Sequence, residues 1–343
     1  GSIQNTLYWD QNTGMPKKGA SWRSEQLTYI AKVLHKRNSS EEFSNLIQSA
    51  KNELLDIERN SDNQLFIKDK ERNISLLLKE FNRERNLDPK LVESLAKAKS
   101  KGYESWQEAK KKSDFKIFLP FFEDLVKLRI EEAKQISNEY SPWETLAQPF
   151  EPELNLKWLN KMFQPLKEAI PALIEGINKS QKNYWDLSPE SQKDLCSKLL
   201  DEFGRDKDLV VVDQSPHPFS ITLGPKDFRI TTRIVEGEPL SSFLATAHEW
   251  GHSIYEQGLP SQSHQWFSWP LGQATSMGIH ESQSLFWENR IVKSKSFSKR
   301  FFKKFIAAGC SLNNYLELWK SINHFEAGLN RVEADELTYG LHI

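Results

Sequence analysis

Three side chains of the run Ala247-His248-Glu249-Trp250-Gly251-His252 have the types and spacing to do chemistry. Two imidazoles four residues apart on an α-helix lie one turn apart on a shared face. There both Nε2 atoms can reach one zinc ion, whose bonds to histidine nitrogen are about 2.0–2.1 Å long. Glu249 sits roughly 100° around the helix from His248, flanking the ligand face beside the metal's open position. A carboxylate so placed can take the proton of a bound water as that water attacks. The pattern H-E-x-x-H fixes only three positions, and its plain structural alternative is a pair of core histidines bonded to neighbouring carbonyls.

The surrounding sequence has to present this face. Pro239 suits a first helical turn, Ser241 or Ser242 can cap, and Gly258 is a ready terminator. Leu240, Phe243, Leu244, Ala247, Gly251, Ile254 and Tyr255 recur at helical spacing, so the histidines are expected to share the inward stripe. Just before this helix the period changes. The runs 209–213, 219–223 and 228–235 are rich in β-formers and separated by Pro, Gly and His, which reads as a small sheet whose edge lies along the zinc helix. An exposed edge there could hold a peptide by main-chain hydrogen bonds, and a structural hairpin is the alternative. A catalytic zinc needs a third protein ligand. The helix following the Trp-rich loop 259–271 offers Glu281, His280 and Glu288, which spacing alone does not separate.

The rest of the chain reads as helical scaffold. Leu27, Ile30, Ala31 and Leu34 form one stripe, and Leu46, Ile47, Ala50, Leu54 and Ile57 a second. Ile74, Leu77, Leu78 and Phe81 continue it, and Asp88-Pro89 starts a further helix. Pro165 and Pro171 are expected to bend or break the helix that carries Leu159 to Ile170. Of 343 residues, 38% are hydrophobic and 27% charged, which suits a folded soluble protein with a substantial core. Net charge is −1, so no global attraction to nucleic acid or anionic lipid is expected. No apolar run approaches the ~20 residues of a membrane span. Two widely separated cysteines, Cys196 and Cys310, and no secretory leader place the protein by default in the cytoplasm.

Together these motifs resemble the M32 metallocarboxypeptidases, the carboxypeptidase Taq family. The resemblance runs through Trp9-Asp10-Gln11, Met15-Pro16, His217-Pro218-Phe219 and Asp227-Phe228-Arg229-Ile230-Thr231, the family's D-x-R-x-T. It continues through the H-E-x-x-H, His280-Glu281-Ser282-Gln283-Ser284 and Arg331-Val332-Glu333-Ala334-Asp335. The fold it implies is mostly α, a helical zinc-peptidase (gluzincin-like) fold with a small β-sheet next to the H-E-x-x-H helix. An N-terminal helical scaffold or cap would occupy 1–140. A catalytic region over 141–343 would hold the sheet (about 209–235), the zinc helix (about 240–257) and the Glu-ligand helix (about 274–291), as one continuous fold.

The resemblance implies His248, His252 and Glu281 as metal ligands and Glu249 as general base, with one divalent ion per chain, Zn²⁺ first and Co²⁺ as the alternative. It implies Asp227, Arg229 and Thr231 beside the substrate cleft. Arg331 becomes a candidate to grip a substrate's terminal carboxylate, since a guanidinium fork matches it bidentately; an intrahelical pair with Asp335 is the rival reading. The substrates implied are peptides with a free C-terminus, and the assembly a homodimer. Asn330 stands where the family carries Ile. The family's further G-x-x-Q-D-x-H-W segment is absent, so the chain is expected to stop mid-helix at Ile343 without groups that complete the cleft. The rivals are a zinc endo- or oligopeptidase and an inactive scaffold that binds metal or peptide only.

Overall fold

The structure is a computed structural model that describes residues 1–58, 64–176, 185–263, 266–267 and 269–324. The chain divides into two compact units. The first comprises 1–149, 223–225 and 258–275, the second 150–222, 226–257 and 276–343. Among the described residues no helix is long and apolar enough to cross a membrane.

The first unit is helical: α1 (Ser2–Asn12), α2 (Ala20–Asn38), α3 (Glu41–Glu58), α4 (Gln64–Arg85), α5 (Pro89–Lys112), α6 (Leu119–Ile136) and α7 (Pro142–Ala147). Its boundaries follow local chemistry. Asp88 accepts a hydrogen bond from the Lys90 amide ahead of Pro89, and Ser141 with Glu144 closes a capping box ahead of Pro142. Helices α3 and α4 bury Ile47, Leu54, Ile67, Ile74 and Phe81 against each other. Helix α2 keeps Leu27, Ile30, Ala31 and Leu34 half-buried, and the more deeply buried positions beside them are polar: Arg23, Ser24, Thr28 and His35. Three of them have partners that make this tolerable: Arg23 on Asp10, Thr28 Oγ1 on the Ser24 carbonyl at 2.7 Å, and His35 Nδ1 on Glu84 Oε2 at 3.1 Å. The Trp-rich loop belongs to this unit as a packed element. The Leu271 amide donates to Asn73 Oδ1 at 3.0 Å, and a Cβ on Gly272 would stand 2.3 Å from the Trp266 carbonyl oxygen.

The second unit holds α8 (Leu156–Glu175), α9 (Pro189–Glu202), β1 (Val210–Gln214), residues 220–222 of β2 (Ser220–Gly224), β3 (Asp227–Thr232), α10 (Pro239–Gln257) and α11 (Met277–Leu285). Helix α11 runs on as a π-helix over Phe286–Val292, followed by α12 (Lys295–Ala307) and α13 (Tyr315–Ile322). Helix α8 continues through Pro165 and Pro171. The residues four positions earlier, Lys161 and Lys167, are exposed, so water can hydrate the carbonyls those prolines leave unpaired. The core centres on Phe243 and Ala247 of α10, Leu195 and Leu199 of α9, and Phe297, Phe301 and Phe305 of α12.

The sheet order is β1-β3-β2, and β1 pairs parallel with β3 from Val210↔Phe228 to Gln214↔Thr232. The central strand, rather than an edge, therefore lies along α10. Phe228 and Ile230 of β3 pack with Trp250 of α10. A buried hydroxyl seam fixes the two: Thr246 Oγ1 to Thr232 Oγ1 at 3.0 Å, and Ser242 Oγ to the Arg233 carbonyl at 2.8 Å. With the inward faces of α10 given to Phe243, Ala247 and Trp250, the two histidines fall on the flank that faces α11.

Candidate metal centre

His248 and His252 project from successive turns of α10, their rings 4.9 Å apart between centroids and near perpendicular at 85°. Helix α11 brings Glu281 between them. Its Oε2 lies 3.7 Å from His248 Nε2 and 3.4 Å from His252 Nε2. Ligand atoms around a tetrahedral zinc with bonds of about 2.1 Å stand roughly 3.4 Å apart. All three donor atoms fall within 4.8 Å of one another, and among the described residues this is the group of His, Cys, Asp and Glu that could hold a metal ion. The nitrogen–oxygen donor set and its spacing fit a divalent cation such as zinc.

The local sequence explains how α11 gets there. Ser276 caps it by accepting from the Ile279 amide, and Glu151 Oε2 takes the Gly278 amide at 3.0 Å. Ser284 Oγ donates to the Glu281 carbonyl at 2.7 Å and lies 3.3 Å from Glu281 Oε2, so the Glu281 carboxylate is held from its own helix. The change to π-helix at Phe286 widens the coil. It carries Glu288 to the opposite edge of His248, where Glu288 Oε2 lies 2.9 Å from Nδ1.

These contacts set the tautomers. A carboxylate accepts, so His248 Nδ1 donates to Glu288. The His280 carbonyl accepts from His252 Nδ1 at 3.2 Å. Nε2 of each ring is thereby left facing Glu281, and it is the nitrogen through which a neutral histidine would ligate a metal once its proton is displaced. His280 turns its own ring to Glu256, with Nε2 2.9 Å from Glu256 Oε1.

Three carboxylates around two imidazoles make the pocket cation-seeking. Burial opposes charge on His248, but the Glu288 hydrogen bond and the charges of Glu249, Glu288 and Glu281 outweigh it and push the ring up to about 9. His252 is lowered, chiefly by burial. Burial would raise Glu281, yet the hydrogen bond from His252 and the histidine charges hold it low. Glu249 is pushed up to about 8 by burial, with the Glu281 and Glu288 charges adding to the rise and His248 opposing it. Its residue is 6% exposed and its Oε2 finds no hydrogen-bond partner. A buried carboxylate oxygen left bare costs free energy and marks a place where a ligand or a proton is received.

The strand residues singled out from sequence have partners of their own. Thr231 is 1% exposed, and its hydroxyl lies 2.7 Å from Ser215 Oγ and accepts from the Phe219 amide at 2.9 Å. It thereby ties β3 to the His217-Pro218-Phe219 turn. Arg229 pairs with Asp227 along the strand through bonds of 2.9 and 3.2 Å. Arg331 lies outside the described residues. The partners of the two histidines are not legible in the sequence. Glu288 reads there only as a rival ligand, and the signal for Glu256 is its place four residues after His252, on that ring's helix face.

Comparison with known proteins gives the family. The profile of the carboxypeptidase Taq (M32) metallopeptidase family matches residues 1–343. Thermostable carboxypeptidase 1 of Thermus thermophilus is 32% identical over 352 residues, covering 98% of this chain and 67% of that protein. Carboxypeptidase 1 of Bacillus subtilis is 32% identical over 349 residues, with the same shares of 98% and 67%. Among solved structures, that titled "BsuCP Crystal Structure" superposes with a TM-score of 0.89 at 31% identity, covering 99% of this chain and 68% of the other. Trypanosoma cruzi metallocarboxypeptidase 1 gives a TM-score of 0.83 at 28% identity, covering 100% and 68%. A helical frame with a small sheet, a histidine pair and an acid from the next helix thus coincide with sequence likeness along the whole chain, which belongs to the M32, carboxypeptidase Taq, family of metallopeptidases.

Proposed function

We propose that the protein removes single residues from peptide C-termini, with His248, His252 and Glu281 holding one divalent cation and Glu249 acting as general base. Zn²⁺ suits two imidazoles and a carboxylate best, and Co²⁺ is the alternative. When bound, such a cation supplies Lewis acidity, polarising a carbonyl and acidifying water. The chain's own part lies in proton handling and orientation. Glu249 receives the attacking water's proton at its bare carboxylate oxygen, a transfer its raised proton affinity favours, and then passes that proton to the leaving amine. Glu288 and the His280 carbonyl keep both imidazole rings turned for ligation.

The observation that carries this reading is the buried, unpartnered oxygen of Glu249 next in sequence to a ligand histidine. Selectivity for a free C-terminus would come from a guanidinium paired with the terminal carboxylate. Arg331 is the first candidate, with Asp227 and Arg229 on the strand beside the cleft. Thr231 is better read as supporting that strand, since its hydroxyl is already committed. In the same reading, 1–140 is scaffold and 141–343 the catalytic region of one fold. A cytoplasmic homodimer acting on peptides, with neither nucleic acid nor membrane as partner, rests on family likeness and on the near-neutral charge.

Two measurements test it. Glu249→Gln should keep stoichiometric metal and lose turnover by roughly 10²–10⁴-fold, the usual worth of a positioned acid–base group; undiminished hydrolysis would remove the base assignment. Peptides amidated at the C-terminus should resist cleavage while their free-acid counterparts are trimmed. Cleavage of both would mean an oligopeptidase, and cleavage of neither by metal-loaded protein a silent scaffold.

A further inference from the structure

We propose that His280, which lies beside the ligand Glu281 but does not share its role, is a positioning residue for the metal centre, and that Glu256 holds it in that role. The proposal rests on the ligand set given above. His280 engages His252 twice. Its carbonyl accepts the proton of His252 Nδ1 at 3.2 Å, and its ring stacks on the His252 ring with centroids 4.4 Å apart and planes 25° from parallel. The hydrogen bond fixes which nitrogen of His252 faces the metal. It leaves the ring free to tilt about the bond to its own helix, and the stacked ring removes that tilt.

The stack would be loose if the His280 ring were itself free to turn. Glu256 prevents this by accepting from His280 Nε2 at 2.9 Å, and Tyr255 stands edge-on to the ring at 5.5 Å and 85°. Glu256 lies one turn beyond His252 on α10, so carboxylate, stacked ring and ligand ring form a closed loop between two helices. The clamp also withholds a competitor. A histidine adjacent to the ligand glutamate has a nitrogen donor of its own, and the bond to Glu256 occupies the donor that would otherwise be free to swing toward a cation.

The test is metal affinity of the purified protein after chelation, read with Zn²⁺ in competition against a chelating dye and with the visible spectrum of bound Co²⁺. Glu256→Ala and His280→Ala should each weaken Zn²⁺ binding by about 10- to 100-fold, the usual effect of losing a residue that orients a metal ligand. Their Co²⁺ bands should broaden as the site loses order. Glu256→Gln keeps an acceptor oxygen and His280→Phe keeps a stacked ring, and each should recover much of the loss. Zn²⁺ affinities within twofold of the parent in both alanine variants, with only the melting temperature lowered, would show an ordinary structural contact and overturn the proposal. A Glu281→Ala arm separates this from failure of the ligand set: loss of Zn²⁺ there upholds that set, whereas parental affinity there with loss in His280→Ala makes His280 the ligand and overturns both.

Discussion

A Cβ added to Gly251 would stand 2.5 Å from Ser284 Cα and 2.7 Å from the Gln283 carbonyl oxygen. Both are backbone atoms of α11, so α10 and α11 touch main chain to main chain one residue before His252 and three after Glu281. The absence of a side chain at Gly251 is what lets the acid of one helix come within 3.4 Å of an imidazole on the other.

Gly251→Ala should therefore push the helices apart. Overpacking of this kind costs about 1–3 kcal/mol where neighbours cannot yield. We expect a lower melting temperature of the metal-free protein and Zn²⁺ affinity reduced by about tenfold or more, as for loss of a metal-orienting contact. Calorimetry and dye competition measure the two, and unchanged Zn²⁺ affinity would mean the crossing does not set the site.

Glu288→Ala should release His248 Nδ1 from its 2.9 Å partner. Loss of such a carboxylate typically costs 10–100-fold in metal affinity. Glu288→Gln, which retains an acceptor oxygen, should lose less. Equal losses in the two variants would argue that charge rather than ring orientation is what Glu288 contributes.

The pH dependence has a definite sign. His248 is raised from its ordinary value to about 9, and Glu249 to about 8. Both groups bind protons more tightly in the folded, metal-free protein than in the unfolded chain, so that protein loses stability as pH rises. The His248 share is fully present below its unfolded value near 6.5 and is gone above about 9. The Glu249 share is fully present below about 4.5 and is lost as pH rises through about 8. Metal binding must displace the His248 proton, so Zn²⁺ affinity should climb over the same range. Melting temperatures of stripped and Zn²⁺-loaded protein from pH 6 to 9 should diverge, and parallel curves would contradict the clustered-charge picture.

Thr231→Val should remove the hydroxyl that joins Ser215 and the Phe219 amide while keeping the β-branched shape. Ser215 would keep its bond to the His217 carbonyl, and losing the buried hydroxyl from this cluster costs about 1–3 kcal/mol. Urea unfolding should show that loss with Zn²⁺ affinity unchanged, because Thr231 works through the strand. A drop in metal affinity as large as that of Glu288→Ala would place it nearer the site than its hydrogen bonds do.

Much of this protein is written locally. Periodicity and capping residues set most helices and all three strands, because those signals act within a few residues of one another. The pair His248 and His252 needs only one helical turn to become a two-nitrogen face, and Glu249 follows from the same turn. Other properties depend on atoms far apart in the chain. The inward faces of α10 went to Phe243, Ala247 and Trp250 because α9, α12 and β3 press on them, so the histidines moved to a flank. Which of His280, Glu281 and Glu288 faces the histidines was open in the sequence, since all three sit within nine residues on one helical run. The fold separates them by contact: Glu256 takes the His280 ring, the close crossing at Gly251 admits Glu281, and the π-helix turns Glu288 to the far nitrogen of His248. A one-dimensional spacing gives angles about one axis, whereas a shared site also requires the distance between two axes, and that distance exists only once the helices have packed.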